Sequence, residues 1–321
     1  MYYNSGGNRK NCVRLAGFIG SRGGTREIGM LQDIFPQVYH CEYAIREPGD
    51  RDLMILQKGG QVLLSDGCLP SAAQIRKLCP EAVGQAFYLF SIDEQGYFSV
   101  PVEAWKQKLG DKEVLSGDPA WTEGAFSWEN VMVLRYAEEK DQSFGGAVGW
   151  QLSNWYDLHR YCGRCGGKTI RAKTERAIVC PSCRHSYYPR ISPVVIIAIV
   201  DSERILLTRY QRGGYRRHAL VAGFVEIGET LEDAVRREIM EEVGLKVKNI
   251  RYVESQPWPF SSSLIAGFYA EPDGDATIHL NADGGEELAE AVWMHRDEVE
   301  IEDNNVSLTW DMIRKFQRGT L

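Results

Sequence analysis

The chain has 321 residues, of which 44% are hydrophobic and 25% are charged, and its formal net charge is −7. This length allows two or three domains, and the composition is that of a folded globular protein, which excludes wholesale disorder. The acidic balance argues against bulk attraction to nucleic acid or membrane but leaves local basic patches open. The longest apolar run is too short to span a bilayer and the first residues lack a secretory signal, so we expect a cytoplasmic protein without a membrane partner.

Residues 1–150 contain short apolar segments separated by turn residues, which predict an N-terminal α+β domain. The predicted strands and helices include residues 38–45, 53–56, 61–64 and 86–92. A glycine-rich run at residues 143–149 then precedes a helix-like stretch at residues 150–161. Because such runs often mark linkers, we place the end of this domain at residue 150.

Eight cysteines fall into two groups that differ in spacing. Cys12, Cys41, Cys68 and Cys79 are scattered, and in a reducing compartment we expect free thiols. The others form two C-x-x-C pairs, Cys162 with Cys165 and Cys180 with Cys183. Four thiolates satisfy the tetrahedral preference of Zn²⁺ and leave no site for water. The spacing therefore predicts a linker helix and a structural zinc ribbon at residues 151–190, with a metal-free knuckle as the alternative.

The predicted ribbon is basic within an acidic chain. Between residues 160 and 190 there are eight bases and one acid, Glu175. The bases are Arg160, Arg164, Lys168, Arg171, Lys173, Arg176, Arg184 and Arg190. Such a patch would attract a polyanion such as RNA, and the alternative is that the bases are solvated or form ion pairs within the fold.

Residues 191–321 follow the ribbon and begin with a predicted hairpin. Residues 193–200 are apolar and β-branched, residues 201–203 form a turn, and residues 205–207 are apolar again. This pattern is typical of a central hairpin in a mixed sheet.

A glutamate-rich segment comes next. Thr230 can cap a helix that begins at Leu231, and Gly244 can end it. Glu238, Glu241 and Glu242 then lie at i, i+3 and i+4 and share one face. Two carboxylates ~4 Å apart repel by ~4 kcal/mol at an effective dielectric of ~20, so this arrangement favours neutralisation by Mg²⁺ or Mn²⁺. The alternative is a solvated acidic face on which Arg237 pairs with Glu241.

The segment from Gly223 to Leu245 matches the Nudix box, G-x5-E-x7-R-E-U-x-E-E-x-G-U, at every fixed position. Together with the ribbon and the segment SQPWPF at residues 255–260, the sequence resembles the NADH pyrophosphatases of the Nudix superfamily. The resemblance implies an α/β/α sandwich with a mixed sheet at residues 191–321. The positions that the motif uses structurally are Gly223, Glu229, Arg237 and Gly244, and Glu229 is expected to pair with Arg237.

The resemblance also implies a set of site residues. The metal ligands would be Glu238, Glu241, Glu242 and the carbonyl of Ala222, with Glu287 as a further glutamate that binds metal or orients water. Either Glu242 or Glu287 would be the general base, and the sequence does not choose between them. The substrate-binding residues would be Tyr188, Phe224, Gln256 and Ser263. The flanking prolines stiffen the loop that carries Trp258, which suits an aromatic wall for a flat ring.

The implied reaction is metal-dependent hydrolysis of the pyrophosphate bond of NADH or NAD⁺ to nicotinamide mononucleotide and AMP. A close rival is removal of the 5′ NAD cap from RNA, since a capped transcript carries the same pyrophosphate. A third hypothesis is a catalytically silent module that senses nucleotides or binds RNA, although such a module would be expected to lack one of the metal glutamates. The resemblance further implies a homodimer.

Overall fold

The computed structural model describes residues 29–109, 126–137, 139–211, 218–282, 284, 288–301 and 306–321. Within these ranges the chain divides into two compact units, one containing residues 33–190 and the other residues 29–32 and 191–321. In the ranges so described, no helix is both long and apolar enough to cross a membrane.

The first unit begins with two small sheets and their helices. Its strands are β1 (Tyr39–His40), β2 (Leu53–Ile55), β3 (Gln57–Lys58), β4 (Gln61–Ser65), β5 (Phe87–Ile92), β6 (Gln95–Ser99) and β7 (Phe126–Asn130). Its helices are α1 (Ala72–Leu78), α2 (Pro80–Gln85), α3 (Val102–Leu109) and α4 (Lys140–Leu158). The strand orders are β1-β5-β6-β2 and β3-β4-β7. This is the α+β architecture that the sequence predicts.

Three predicted segments agree with β2, β4 and β5 to within one residue at each end. The segment at residues 38–45 does not, because only β1 pairs there, with Tyr39 opposite Ile92 and His40 opposite Ser91. Beyond β1 the chain leaves the sheet, and the Tyr43 hydroxyl donates a hydrogen bond to the carbonyl of Ala172 at 2.7 Å.

Helix α4 contains the glycine run that the sequence suggests as a domain boundary. The helix continues through residue 150 to Leu158, so the predicted boundary falls inside it. The glycines are buried because neighbouring side chains occupy the space of a Cβ atom. A Cβ atom at Gly145 would lie 2.5 Å from the ring of Tyr97, and one at Gly149 would lie 2.8 Å from Ile55. The glycines therefore allow close packing of α4 and do not form a linker.

Replacing Gly145 with alanine tests this packing. We expect Gly145→Ala to lower the free energy of unfolding by about 1–3 kcal/mol, because the buried Tyr97 ring must shift. The matched control is Gly84→Ala in α2, where an added Cβ atom meets no atom within 4 Å. We expect the control to be neutral or to stabilise by about 0.5–1 kcal/mol through helix propensity. Urea denaturation of both variants measures the difference, and equal values would contradict the packing role.

The first unit ends in a small antiparallel sheet. Its strands are β8 (Ile170–Arg171), β9 (Ile178–Val179) and β10 (Ser186–Tyr187), in the order β10-β9-β8. The four cysteines of the C-x-x-C pairs flank these strands, as in the predicted ribbon.

The second unit is built on one mixed sheet. Its strands are β11 (Ser192–Asp201), β12 (Arg204–Tyr210), β13 (Val221–Phe224), β14 (Val247–Trp258), β15 (Ser263–Pro272) and β16 (Leu288–His295), and its helices are α5 (Leu231–Val243) and α6 (Leu308–Gln317). The order is β14-β15-β11-β12-β16, with β13 also paired to β11. Strand β11 is parallel to β15 and antiparallel to β12. The predicted hairpin is confirmed, with Asp201 opposite Arg204.

Strand β11 is apolar on both faces because a helix covers each face. Alternate residues Val195, Ile197 and Ile199 pack with the α5 residues Val235, Ile239 and Val243. The intervening residues Ile196, Ala198 and Val200 pack with the α6 residues Trp310, Met312 and Ile313. Burial of each large aliphatic side chain contributes about 2 kcal/mol. This helix–sheet–helix arrangement confirms the predicted fold class.

Candidate active site

Helix α5 has the boundaries that its sequence predicts. The Thr230 side chain accepts a hydrogen bond from the backbone N–H of Asp233 at 3.1 Å and caps the first turn. Gly244 ends the helix in the left-handed conformation, with φ of 67°, and its N–H donates to the carbonyl of Met240. Because the apolar stripe of α5 is buried against β11, the rotation of the helix and the direction of its glutamates are fixed.

The three glutamates of the helix differ in exposure. Glu238 and Glu242 are buried, whereas the Glu241 side chain is 41% exposed. Strand β13 passes directly beside Glu238, since a Cβ atom at Gly223 would lie 1.9 Å from the Cδ of that glutamate. Glycine at this position is therefore what leaves room for the carboxylate. The neighbouring residue, Ala222, is paired with Ile196 in the sheet, which fixes its backbone near the helix.

Arg237 connects the glutamates to the preceding loop. Its Nε and Nη2 donate to the two carboxylate oxygens of Glu229, at 2.6 and 2.9 Å, and Nη2 also donates to the carbonyl of Phe224 at 2.9 Å. Its Nη1 donates to Glu238 at 2.8 Å and to Glu241 at 3.0 Å. The backbone N–H of Glu226 donates to Glu229 at 2.9 Å. The loop at residues 224–229 is thereby held against the start of α5.

These contacts change the ionisation of the pair. The hydrogen bonds from Arg237, and a further one from the backbone of Glu226, lower the pKa of Glu229 to about 2. The pKa of Arg237 is raised, chiefly by Glu229. Both side chains are therefore charged at neutral pH.

The donor set on α5 fits a hard divalent cation. Carboxylate oxygens with a backbone carbonyl nearby are the ligands that Mg²⁺ and Mn²⁺ prefer, and the missing Cβ atom of Gly223 leaves space for the Glu238 carboxylate. The ligand oxygens of Glu238, Glu241 and Glu242 do not all lie within 4.8 Å of one another. Arg237 binds two of them instead, so a cation would compete with its Nη1 for oxygens of Glu238 and Glu241.

The sheet register brings three of the predicted substrate-binding residues to the end where β11 begins. Phe224 is opposite Val194, Ser263 is opposite Ser192, and Trp258 is opposite Ser263. The Phe224 side chain is 54% exposed and so available to a ligand. The Trp258 ring packs edge-on against Phe260, with centroids 5.1 Å apart, and the Ser263 hydroxyl contacts that of Ser261 at 2.9 Å.

Gln256 lies elsewhere than the sequence analysis implies. Its side chain is 0% exposed, and its amide binds three partners in the interior. Its Nε2 donates to the Gln32 side chain and the Val306 carbonyl, and its Oε1 accepts from the N–H of Leu308. In this structure Gln256 anchors Gln32 and the start of α6, and no part of its side chain reaches solvent. No pattern in the sequence signals that Gln32 is its partner.

Glu287 and Tyr188 complete the set of predicted site residues. Glu287 lies outside the described residues. Tyr188 belongs to the first unit, where its side chain is 58% exposed and its hydroxyl donates to Glu175 at 3.3 Å.

The four ribbon cysteines form a metal site. Their sulfur atoms all lie within 4.8 Å of one another, with Cys162 and Cys183 at 3.6 Å and Cys165 and Cys180 at 3.5 Å. Backbone hydrogen bonds shape each turn, from Gly166 to Cys162 and from Arg184 to Cys180, both at 2.8 Å. The sulfur donors fit Zn²⁺. The sequence analysis missed the Tyr187 hydroxyl, which lies 3.3 Å from the Cys162 sulfur and has no motif to mark it.

The prediction of free thiols holds for only some of the scattered cysteines. Cys41 and Cys79 are free thiols, as predicted, but Cys68 is disulfide-bonded, and Cys12 lies outside the described residues. Sequence spacing carries no information about which distant thiol approaches Cys68.

Two of the ribbon bases stabilise the fold. Arg160 pairs with Glu103 and Asp157, and Arg176 donates to backbone carbonyls of Cys41 and Leu89. The other bases are exposed: Arg164, Lys168, Arg171, Lys173, Arg184 and Arg190.

Comparison with known families gives a match for the second unit and a match for the ribbon. Residues 190–316 match the NUDIX domain, so the chain contains a Nudix domain with α5 as its motif helix. Residues 157–188 match the NADH pyrophosphatase zinc ribbon domain. The two matches cover the segments that carry the resemblance seen in the sequence, and they confirm that resemblance.

Two curated relatives and one solved structure give the extent of the similarity. The NAD-capped RNA hydrolase NudC of Escherichia coli O9:H4 (strain HS) is 49% identical over 154 residues, which is 48% of this chain and 58% of that protein. The protein of the same name from Escherichia fergusonii has the same values. The chain therefore matches less than two thirds of the length of these relatives. A NUDIX hydrolase crystal structure from Nitrosomonas europaea is 25% identical, covers 50% of this chain and 91% of its own, and has a TM-score of 0.43.

The Glu229–Arg237 pair predicts a pH dependence of stability. Because the folded-state pKa of Glu229 lies below its ordinary value of 4.5, the pair stabilises the fold fully above that value and loses its effect as pH falls toward about 2. The difference in free energy of unfolding between wild type and Glu229→Gln should therefore shrink across this window. Denaturant titrations at a series of pH values measure it, with Glu232→Gln as a control outside the pair. An unchanged difference at about pH 3 would contradict the ionic role.

Proposed function

We propose that the protein hydrolyses the pyrophosphate bond of NADH or NAD⁺ and releases nicotinamide mononucleotide and AMP. The observation that supports this most is the intact motif helix, on which Glu238 lies beside β13 and Glu241 shares the Arg237 guanidinium with it. The match of residues 157–188 to the NADH pyrophosphatase ribbon supports a dinucleotide as substrate. Zinc in the ribbon would be structural, because four sulfurs fill its coordination.

In the proposed mechanism, Glu238, Glu241, Glu242 and the carbonyl of Ala222 would hold Mg²⁺ or Mn²⁺. When bound, such ions lower the pKa of a coordinated water and neutralise charge on the phosphates. Water oxygen attacks one phosphorus, the bridging P–O bond breaks, and the leaving phosphate takes the electron pair. A carboxylate, Glu242 or Glu287, accepts the water proton. Arg237 positions the loop at residues 224–229 through Glu229.

The aromatic residues would position the bases of the dinucleotide. Phe224 follows Gly223 directly and presents an exposed ring near the carboxylates. Trp258 and Phe260 form an edge-on pair at the same end of the sheet. Such rings suit flat nicotinamide or adenine groups. Tyr188 and Ser263 remain predictions for substrate contact, and so do the homodimer and the cytoplasmic location.

Removal of an NAD cap from RNA is the second candidate. The relatives at 49% identity are named for that activity, and their protein name is the observation that favours it. The exposed ribbon bases would add attraction to the RNA backbone.

Substitution of one carboxylate tests the catalytic proposal. We expect Glu241→Gln to lower turnover of NADH by a factor on the order of 10³ while the fold is retained, because a charged group that stabilises the transition state is lost. Chromatographic detection of AMP with Mg²⁺ and with Mn²⁺ measures turnover, and circular dichroism checks the fold. Glu232→Gln, on the first turn of the same helix, is the matched control. Near wild-type activity in Glu241→Gln would remove that residue from the mechanism, and no product from wild type with either ion would favour the silent module.

A salt series separates the two substrates. If the ribbon bases steer RNA, the rate with NAD-capped RNA should fall more steeply with salt than the rate with NADH, with an added slope of roughly 0.7 per phosphate contact. Arg164→Gln/Arg184→Gln should reduce that slope for RNA only. Equal slopes for the two substrates would reject steering by the ribbon.

A further inference from the structure

A cleft of about 810 Å³ lies within the first unit. Its walls come from the segment after β1, the edge of β5, the end of α4 and the ribbon strand β8. The volume is in the range of small-molecule sites. None of the residues proposed for hydrolysis or zinc binding lines it.

The charge of the cleft favours an anion. Its lining contains five basic residues and three acidic ones. Two of the acids, Glu103 and Asp157, are already paired with Arg160. In the described part of the chain, Arg171 and Lys173 form no ion pair with a carboxylate, and Lys168 acts on Glu103 only at longer range, lowering its pKa; all three line the same ribbon wall. Unpaired cations on one concave wall attract a phosphate.

The wall of the cleft at β5 is aromatic, which favours a flat ring. Phe87 and Tyr156 pack edge-on with centroids 4.7 Å apart. The guanidinium of Arg171 lies 4.0 Å from the centroid of the Phe87 ring. A planar base could extend this stack, since nucleobases pack on both aromatic rings and guanidinium planes. Phosphate-binding cations and a stacking surface therefore meet at Arg171.

We infer that this cleft binds a nucleotide, with its phosphate at Lys168 and Lys173 and its base against Arg171 and Phe87. The nucleotide is either a free mononucleotide or one residue of an RNA chain, because both present a phosphate beside a base. The inference does not rest on the proposed hydrolysis, and binding here would be separate from turnover.

Lysine footprinting of the full zinc-loaded chain tests the inference. Amine acetylation of Lys168 and Lys173, read by mass spectrometry, is titrated with AMP, with a 5′-phosphorylated oligoadenylate of about eight nucleotides, and with inorganic phosphate. AMP has no pyrophosphate bond, so the result does not depend on catalysis. Lys106, which is exposed and outside the cleft, is the internal reference. We expect protection of the two cleft lysines and none at Lys106.

Matched variants assign the protection to the cleft. Arg171→Gln and Phe87→Leu should each raise the midpoint of protection roughly tenfold, because each removes part of the stack. The controls are Arg51→Gln and Tyr161→Leu, which make the same kinds of change on exposed residues outside the cleft. Thermal unfolding and zinc content check each fold. Phe87→Leu keeps an apolar side chain, so it remains informative if Arg171→Gln is unstable.

The outcomes are distinct. Protection by AMP with the expected shifts supports a site for free nucleotides, and protection by the oligoadenylate alone supports a site for a nucleotide within RNA. The inference is overturned if no probe protects the lysines, if inorganic phosphate protects as well as AMP, or if the cleft variants shift the midpoint no more than their controls.

Discussion

The bidentate contact between Arg237 and Glu229 governs the organisation of the candidate active site. It holds a six-residue loop to the first turns of α5, and the same guanidinium continues to Glu238 and Glu241. A planar donor fork can bind the Glu229 carboxylate on one edge and two carboxylates of α5 on the other, which a lysine could not do. One positive charge thus offsets only part of the negative charge of these carboxylates, and a divalent cation would offset more. Metal binding by these glutamates would be an exchange of partners, in which a divalent ion replaces one arginine nitrogen.

Packing around β11 fixes the position of the helix that carries this cluster. The strand is covered by α5 on one face and by α6 on the other, so side chains of both parities are buried. The helix that carries the glutamates cannot rotate without exposing its apolar stripe. The close approach of β13 at Gly223 then sets the depth of Glu238. A rigid scaffold of this kind suits chemistry that depends on positioning of charge.

The sequence predicted the parts of the molecule that depend on local rules. The caps at Thr230 and Gly244, the hairpin after the ribbon and the cysteine spacing each follow from short-range geometry, and the structure agrees with them. The predictions from the sequence were wrong where packing between residues far apart along the chain decides the structure. The glycines at residues 143–149 resembled a linker because the sequence shows that glycine is flexible. It does not show that the Tyr97 ring packs against Gly145. Gln256 matched a pocket position, yet its hydrogen-bond partners lie more than fifty residues away along the chain in one case and more than two hundred in another.

The uninterrupted helix α4 also decides where the protein can be divided. Its buried first half packs on the N-terminal sheets, and its last turn leads into the first knuckle of the ribbon. A fragment starting at residue 151 would keep the metal-binding cysteines but begin in mid-helix, without the turns that dock on Ile55 and Tyr97. Its truncated helix would expose an apolar flank to solvent. A cut between the N-terminal sheets and the ribbon would therefore break helix α4. A shortened version of this protein should keep the first unit whole.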